Sequence, residues 1–499
     1  MAGEYALFLG TVVVGAVAWL AVQRFAVYWR LRAFPGPFLG KFSKLWVAWG
    51  AATRRLNVEY QTLCEKYGPV VRIAQNDLIT DDPEIIVRIN AVRSPYTRSE
   101  FYASAKLDPS RDNILSTRDE VKHQALRQKM ASGYSGKDNP ALEPGIDKHI
   151  LNLINLINAK YLSTSSSFRP LDFGRKAHYL TLDLISEIAF GEAFGDITED
   201  RDVHEYIQMI EEKVGAMVWV TVFPGLNKIL QIPWIARAVM PSDKDEIGMG
   251  KVMGVAKRVV AERFGPDKKV REDMLGSFIR RGLTQEEVYS ESLLQIIAGS
   301  DTTATALRAT ILYVITNPRV HAALRREIDA FLSQNPPADP ASVIPDAAAR
   351  TLPYLHACIR EGLRMNPPIP ALLSKKVPPE GDTINGVFVP GGTGIGCCSF
   401  GIQRNKAAFG EDSNIFRPER WLEARGADAQ RMERTADLVF GSGKFQCLGK
   451  SVAMIELRKI LFELVARFDL AIVDPTKPWK SENMGFFLQS EMFIRASTR

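Results

Sequence analysis

Cysteine is scarce in this chain, with five in 499 residues at positions 64, 358, 397, 398 and 447. Thiols so few and so unevenly spaced exclude a disulfide scaffold. An odd count fits a reducing compartment, where a cysteine is buried, metal-bound or catalytic. Internal repeats and low-complexity tracts are missing as well. Acids are almost absent from the first 55 residues, where Arg24, Arg30, Arg32, Lys41, Lys44, Arg54 and Arg55 face Glu4 alone. Those residues carry the whole net charge of +6, so the remainder is electrically balanced. A nucleic-acid-binding protein would hold its basic excess in the folded body, and that class is excluded. At 24% charged and 46% hydrophobic, the composition also excludes disorder, collagen, coiled coil and a polytopic membrane protein.

What is present begins with Tyr5–Val22, 18 residues without a formal charge. As a helix this stretch spans ~27 Å, close to the thickness of a hydrocarbon core. Trp19, Tyr28 and Trp29 suit the interface, and the cations from Arg24 onward are expected to stay cytosolic by the positive-inside rule. A cleaved signal peptide is the rival reading, but it wants positive charge before the apolar stretch. We therefore expect a membrane anchor over 1–30 and a single large domain over 31–499. Phe34-Pro35-Gly36-Pro37 cannot continue a helix and reads as a stiff joint between the two.

The body reads as mainly α with a small β portion. Val70–Ile73 and Leu78–Thr80 flank Asn76-Asp77 as one hairpin, and 383–389 forms another around Asn385-Gly386. Pro336-Pro337-Ala338-Asp339-Pro340 reads as an exposed loop. Thr284 with Glu287 is a capping-box signature. The helix it opens is expected to run from Gln285 to Thr316, ~48 Å long, before Asn317-Pro318 stops it. Its middle, Ala298-Gly299-Ser300-Asp301-Thr302-Thr303, is small and polar where packing wants leucine. One reading is a polar face at a domain surface. The sharper one is a helix bent open beside a ligand, with Asp301 and Thr302 serving proton transfer.

The most informative segment is Phe440-Gly441-Ser442-Gly443-Lys444-Phe445-Gln446-Cys447-Leu448-Gly449, followed by an amphipathic helix over 450–468. The glycines allow a tight turn and close approach of a flat partner. Cys447 lies at the start of that helix, where unpaired N–H groups and the dipole favour a thiolate. A thiolate held in such a loop is the geometry of an axial haem ligand.

With these motifs the chain resembles the cytochrome P450 family from Tyr5 to its end. The resemblance implies the P450 fold and heme b, with Cys447 as the axial iron ligand and Phe440, Gly443 and Gly449 shaping its loop. It makes Asp301 and Thr302 the oxygen-activating pair. Glu361 and Arg364 match its Glu-x-x-Arg motif, and it joins them in a structural network with Phe416-Arg417-Pro418-Glu419-Arg420-Trp421. His123 and Arg127 match the propionate-binding helix, with His replacing the usual Trp. Phe445 replaces the usual Arg or His two residues before the cysteine. Lys375 aligns with another propionate cation, and Lys376 is its adjacent alternative. Fungal members of the pisatin demethylase-like group look similar at these places.

The activity implied is monooxygenation, in which one oxygen atom of O2 enters an apolar small molecule by hydroxylation or oxidative demethylation. Fungal secondary metabolism is the implied setting. No Gly-rich dinucleotide or flavin fingerprint follows a strand, and the segment after the last helix is too short for a fused reductase. Electrons are therefore expected from NADPH through a separate cytochrome P450 reductase in the endoplasmic reticulum membrane, with the catalytic domain cytosolic. Lys122, Arg127, Lys129, Lys444 and Lys450 are candidates to meet its acidic surface. Val214–Met240 and Ile369–Leu372 are expected to line the substrate's route. Two rivals stand beside this: a haem-thiolate isomerase or dehydratase needing no external electrons, and a non-enzymatic haem sensor or carrier.

Overall fold

Thr284 starts the element around which the rest is packed. Its hydroxyl accepts a hydrogen bond from the Glu287 amide at 3.2 Å, and the Glu287 carboxylate accepts one from the Thr284 amide at 2.8 Å. The reciprocal pair satisfies two orphan donors and fixes where the helix begins. The computed structural model describes residues 2–499 except 109–110, 137, 231, 338 and 340. In it the central helix runs from Gln285 to Ile315, with Thr316 as its C-cap.

Most of that helix is buried, and its broadest packing is against the helix Phe173–Phe190. The two meet closely at Gly299, where an added Cβ would lie 2.6 Å from Ile185 Cγ1. Close approach is thus one reason for a glycine that helix propensity alone disfavours. The expected opening does not interrupt the helix, which stays helical through the polar segment. The Ser300 and Thr302 hydroxyls donate back to the Ile296 and Ala298 carbonyls, each at 2.7 Å. The departure from a packed helix lies in side-chain volume: Ala298 is exposed in the middle of an otherwise buried element.

The main sheet has five strands in the order Val70–Ala74, Asp77–Thr80, Gly394–Cys397, Lys375–Lys376, Thr97–Arg98. Its first two strands are the expected hairpin. The second hairpin pairs Asp382–Ile384 with Val387–Val389 across Asn385 and Gly386, both at positive φ (50° and 79°), as a primed turn requires. The edge strand Thr97–Arg98 pairs with Lys375–Lys376 and brings Arg98 beside Lys375.

The N-terminal helix covers Ala2–Arg30, and its stretch Gly10–Arg30 is long and apolar enough to cross a membrane. Arg72, fully buried in the first strand, donates to the Val27 and Tyr28 carbonyls at 3.2 and 3.1 Å. Both carbonyls lie in the last turn of the helix, and that of Tyr28 also accepts the Leu31 amide at 3.3 Å. At the joint, a Cβ on Gly36 would fall 2.0 Å from the Arg72 carbonyl oxygen. The expected loop is exposed at Pro336, Pro337 and Asp339, while Ala338 and Pro340 lie outside the described residues. The 214–240 segment forms parts of helices Tyr206–Val222, Gly225–Leu230 and Pro233–Val239, with Trp219 and Trp234 exposed.

Candidate active site

The cysteine loop is shaped by two glycines at positive φ, Gly441 (69°) and Gly443 (56°). At Gly443 a Cβ would also strike the Asn90 carbonyl oxygen at 2.1 Å, so only glycine fits. The Cys447 amide donates to the Phe440 carbonyl at 2.7 Å and closes the loop. The following helix spans Lys450–Arg467, with Gly449 as its N-cap. Burial pushes the Cys447 thiol up, while the Gly449 and Lys450 amides and Arg127 pull it back down. For the protein alone burial wins, so the helix start does not by itself make a thiolate. The Cys447 side chain is nonetheless exposed.

Arg98, His123, Arg127, Lys375 and Lys444 converge near this loop. Arg98 and Lys375 are direct cross-strand partners, 6% and 3% exposed. Both lie over the Phe445 ring, at 4.9 and 4.4 Å from its centroid. Arg98 donates to the Ile114 and Thr117 carbonyls at 3.1 and 2.7 Å and contacts His123 Nε2 at 2.7 Å. Its Nε has no partner. Lys375 donates to the Tyr102 hydroxyl at 2.5 Å and to the Leu373 carbonyl at 2.7 Å. Leu373 itself sits at φ 44°, a strained backbone for a branched residue. Lys376 points elsewhere and pairs with Glu100. Arg127 makes no hydrogen bond or ion pair among the described residues.

The electrostatic cost of this gathering shows in its titrating members. Burial first, then Arg98 and other cations, lowers His123 to about 3. Burial and Arg98 lower Lys375 to about 7. Glu120 is the nearby acid, 3.5 Å from Lys444 and accepting from the Arg98 amide at 3.3 Å. Like charges directly opposed on a sheet are destabilising, and buried charge needs a partner. A bare Arg98 Nε, an unpaired Arg127 and a half-discharged Lys375 together fit a buried dianion. The two propionates of a haem have that chemistry.

On the central helix, Asp301 Oδ1 stands 3.9 Å from the Arg308 guanidinium. Arg308 is already committed to the Gly174 carbonyl, at 2.9 and 2.8 Å. Burial raises Asp301 to about 6 against this attraction, so its carboxyl can both hold and release a proton near neutrality.

Glu361 and Arg364 are fully buried and bidentate, at 2.7 and 2.9 Å. Arg417 reaches Glu361 only through its backbone amide, at 2.9 Å, while its guanidinium pairs with Asp412 and Glu423. The side chains completing the knot are Arg420 and Trp421, each donating to Glu361 at 2.9 Å. The sequence expectation takes Arg417 as the structural partner of Glu361 and Arg364, whereas the guanidinium that reaches Glu361 is that of Arg420. It missed Arg98 altogether, because an arginine in a two-residue strand carries no motif. Of the docking candidates, Lys444 turns inward to the Ser94 and Tyr96 carbonyls. Lys122 remains exposed.

The cytochrome P450 family model matches residues 34–494. The chain is 44% identical to the cytochrome P450 monooxygenase ABA1 of Pyricularia oryzae, over 97% of this chain and 96% of the relative. It is 38% identical to the cytochrome P450 monooxygenase aba1 of Botryotinia fuckeliana, over 94% and 92% of the two chains. It is 33% identical to the cytochrome P450 monooxygenase abl1 of Leptosphaeria maculans, over 94% and 84%.

Proposed function

This chain belongs to the cytochrome P450 family and is an oxidoreductase of the monooxygenase class, and we propose that it places one oxygen atom of O2 in an apolar small molecule of fungal secondary metabolism, by hydroxylation or oxidative demethylation. The family's haem, when bound, supplies the activation of oxygen. In this reading the Cys447 thiolate would hold its iron, with Phe440, Gly443 and Gly449 shaping the loop. Arg98, Arg127 and Lys375 hold the propionates. His123 buttresses Arg98 and stays neutral.

Thr302 orients the proton that oxygen chemistry consumes, and Asp301 resupplies it from water. The substrate lies beside Ala298 and Ile369–Leu372, reached past the apolar 214–240 segment. Residues 1–30 anchor the protein once in the endoplasmic reticulum membrane, with 31–499 forming the cytosolic monooxygenase domain. Electrons come from NADPH through a separate cytochrome P450 reductase.

The buried cation cluster beside Cys447 is the observation that carries this reading. Its test is product analysis in membranes holding this protein, its reductase and a panel of apolar metabolites. We expect an oxygenated product that needs NADPH, reductase and O2 together. Conversion of a hydroperoxide without NADPH would favour the isomerase or dehydratase instead. Cys447→Ala should lose the thiolate-type absorption of the reduced carbon monoxide complex, and its retention would remove Cys447 as the ligand.

A further inference from the structure

Glu291 lies on the central helix ten residues before Asp301, and it is 1% exposed. An acid buried in a core helix is costly unless it does something leucine cannot. One carboxyl oxygen accepts the Ile114 amide at 2.7 Å, while Oε2 has no partner. Burial raises the group to about 8, so it is held largely neutral and still accepts.

Ile114 belongs to a turn closed by its own side chains. The Asn113 side chain accepts the Leu115 and Ser116 amides at 2.9 and 2.8 Å, and the Thr117 hydroxyl donates to the Asn113 carbonyl at 2.7 Å. So closed, the turn directs the Ile114 and Thr117 carbonyls at the Arg98 guanidinium. Ile114 therefore touches Glu291 through its own N–H and Arg98 through its own carbonyl.

We propose that Glu291 is a positioning residue that ties the turn 113–117 to the central helix and thereby holds Arg98 in its orientation toward the haem. This rests on the reading of Arg98 as a propionate cation. The Glu291 side chain reaches the Ile114 amide from the helix and, held neutral, accepts without demanding a buried counter-ion. Arg98 cannot be held by acids directly, because an acid beside it would compete for the guanidinium that the propionates need. The turn solves this by presenting carbonyls, which orient a cation without neutralising it.

The experiment uses the holoenzyme and reads haem release to an excess of a haem-accepting protein. It also reads amide hydrogen exchange at Ile114. Glu291→Met keeps the volume and removes the acceptor; it should release haem about tenfold faster, the scale of one lost buried hydrogen bond. Exchange should rise at 113–117 and not along the rest of the central helix. Glu291→Gln keeps an acceptor oxygen and should stay within about twofold of the parent on both readouts. Combining Glu291→Met with Arg98→Leu should be no faster than Arg98→Leu alone.

Asn113→Ala opens the same turn from within and should mimic Glu291→Met if that variant does not accumulate. The proposal fails if Gln behaves like Met, if the double variant multiplies the two effects, or if Ile114 exchange is unchanged. A parental release rate in Arg98→Leu would instead overturn the propionate reading. Ile114 exchange would then still report whether Glu291 holds the turn.

Discussion

Arg98 and Lys375 stand directly opposite one another in an antiparallel pair, buried, with their cationic groups over the same Phe445 ring. Two cations at opposed sheet positions repel. The aromatic face offsets part of that repulsion, and a dianion between them would reverse it. From this arrangement, Lys375→Ala should weaken haem retention by about 1.5–3 kcal/mol, the range of a hydrogen bond to a charged group. Lys376→Ala should leave it unchanged, because Lys376 is spent on Glu100. Haem titration of the purified variants checks both. Full occupancy in Lys375→Ala would sink the assignment.

The same lysine makes haem binding pH-dependent with a definite sign. Without haem, burial and Arg98 lower Lys375 to about 7, below its ordinary value of 10.5. A propionate beside it favours the charged form and raises that value again. Above pH 7, binding must then take up a proton, so affinity should fall as pH rises, by at most about tenfold per unit. Below pH 7 the lysine is already charged and the slope should vanish. Haem affinity measured from pH 6 to 9 checks this, and Lys375→Arg should flatten the curve because arginine does not discharge there.

Phe445 occupies the position where the family usually carries Arg or His. Lys444 joins Arg98 and Lys375 around its ring, at 5.1 Å. Phe445→Leu should therefore lose about 1–2 kcal/mol of haem-free stability, the scale of desolvated cation–π contacts. Phe445→Arg adds a cation to the cluster and should lower the melting temperature of the haem-free protein more than that of the haem-bound form. Thermal melts with and without haem separate the two. Equal shifts would mean that the ring only fills space.

How much of this was legible beforehand follows from what each feature needs. The cysteine loop, the capped central helix and the hairpins rest on local patterns within a few residues, so the sequence showed them. Glu361 and Arg364 were visible as a pair, yet the division of labour between Arg417 and Arg420 was not, because it depends on which guanidinium the 412–421 loop turns inward. Arg98 was invisible for a similar reason. Its partners Lys375, Ile114 and His123 come from three separate stretches that only the sheet and the turn bring together. Alignment favours Lys375 over its neighbour Lys376, and what alignment could not show is that Lys375 is buried while Lys376 pairs with Glu100.

The anchor should act as a rigid extension of the body, since Arg72 caps its last carbonyls from inside the first strand. Deleting residues 1–30 should release the protein from membranes or leave only a salt-sensitive attachment. Arg72→Leu should keep it membrane-bound but raise protease sensitivity across 27–37. Membrane fractionation and limited proteolysis read the two effects independently. Tight, salt-resistant membrane binding after the deletion would show that the anchor lies elsewhere.

The last prediction concerns Asp301 and Thr302. Arg308 is held by the Gly174 carbonyl and stays 3.9 Å from Asp301, too far to lock the carboxylate in a tight pair. Burial keeps that carboxyl near pKa 6, so it carries a proton part of the time at neutral pH. Thr302, one residue on, has its hydroxyl hydrogen directed at the Ala298 carbonyl, leaving the oxygen free to accept. Losing either side chain should spare haem binding, which the proposed reading assigns to Cys447 and the cation cluster, and instead separate electron use from product formation. Thr302→Ala should still consume NADPH but lose much of it as hydrogen peroxide. Asp301→Asn should slow the whole cycle, by ~10²–10⁴-fold if the full acid–base contribution passes through it. A surface contact is worth far less, so a polar packing role and a proton route are distinguishable by size alone. The measurement is the ratio of product to NADPH, with peroxide counted alongside. If Thr302→Ala keeps parental coupling, the hydroxyl is a helix-internal hydrogen bond and nothing more, and the proton must arrive by another side chain or through the substrate's own hydroxyl.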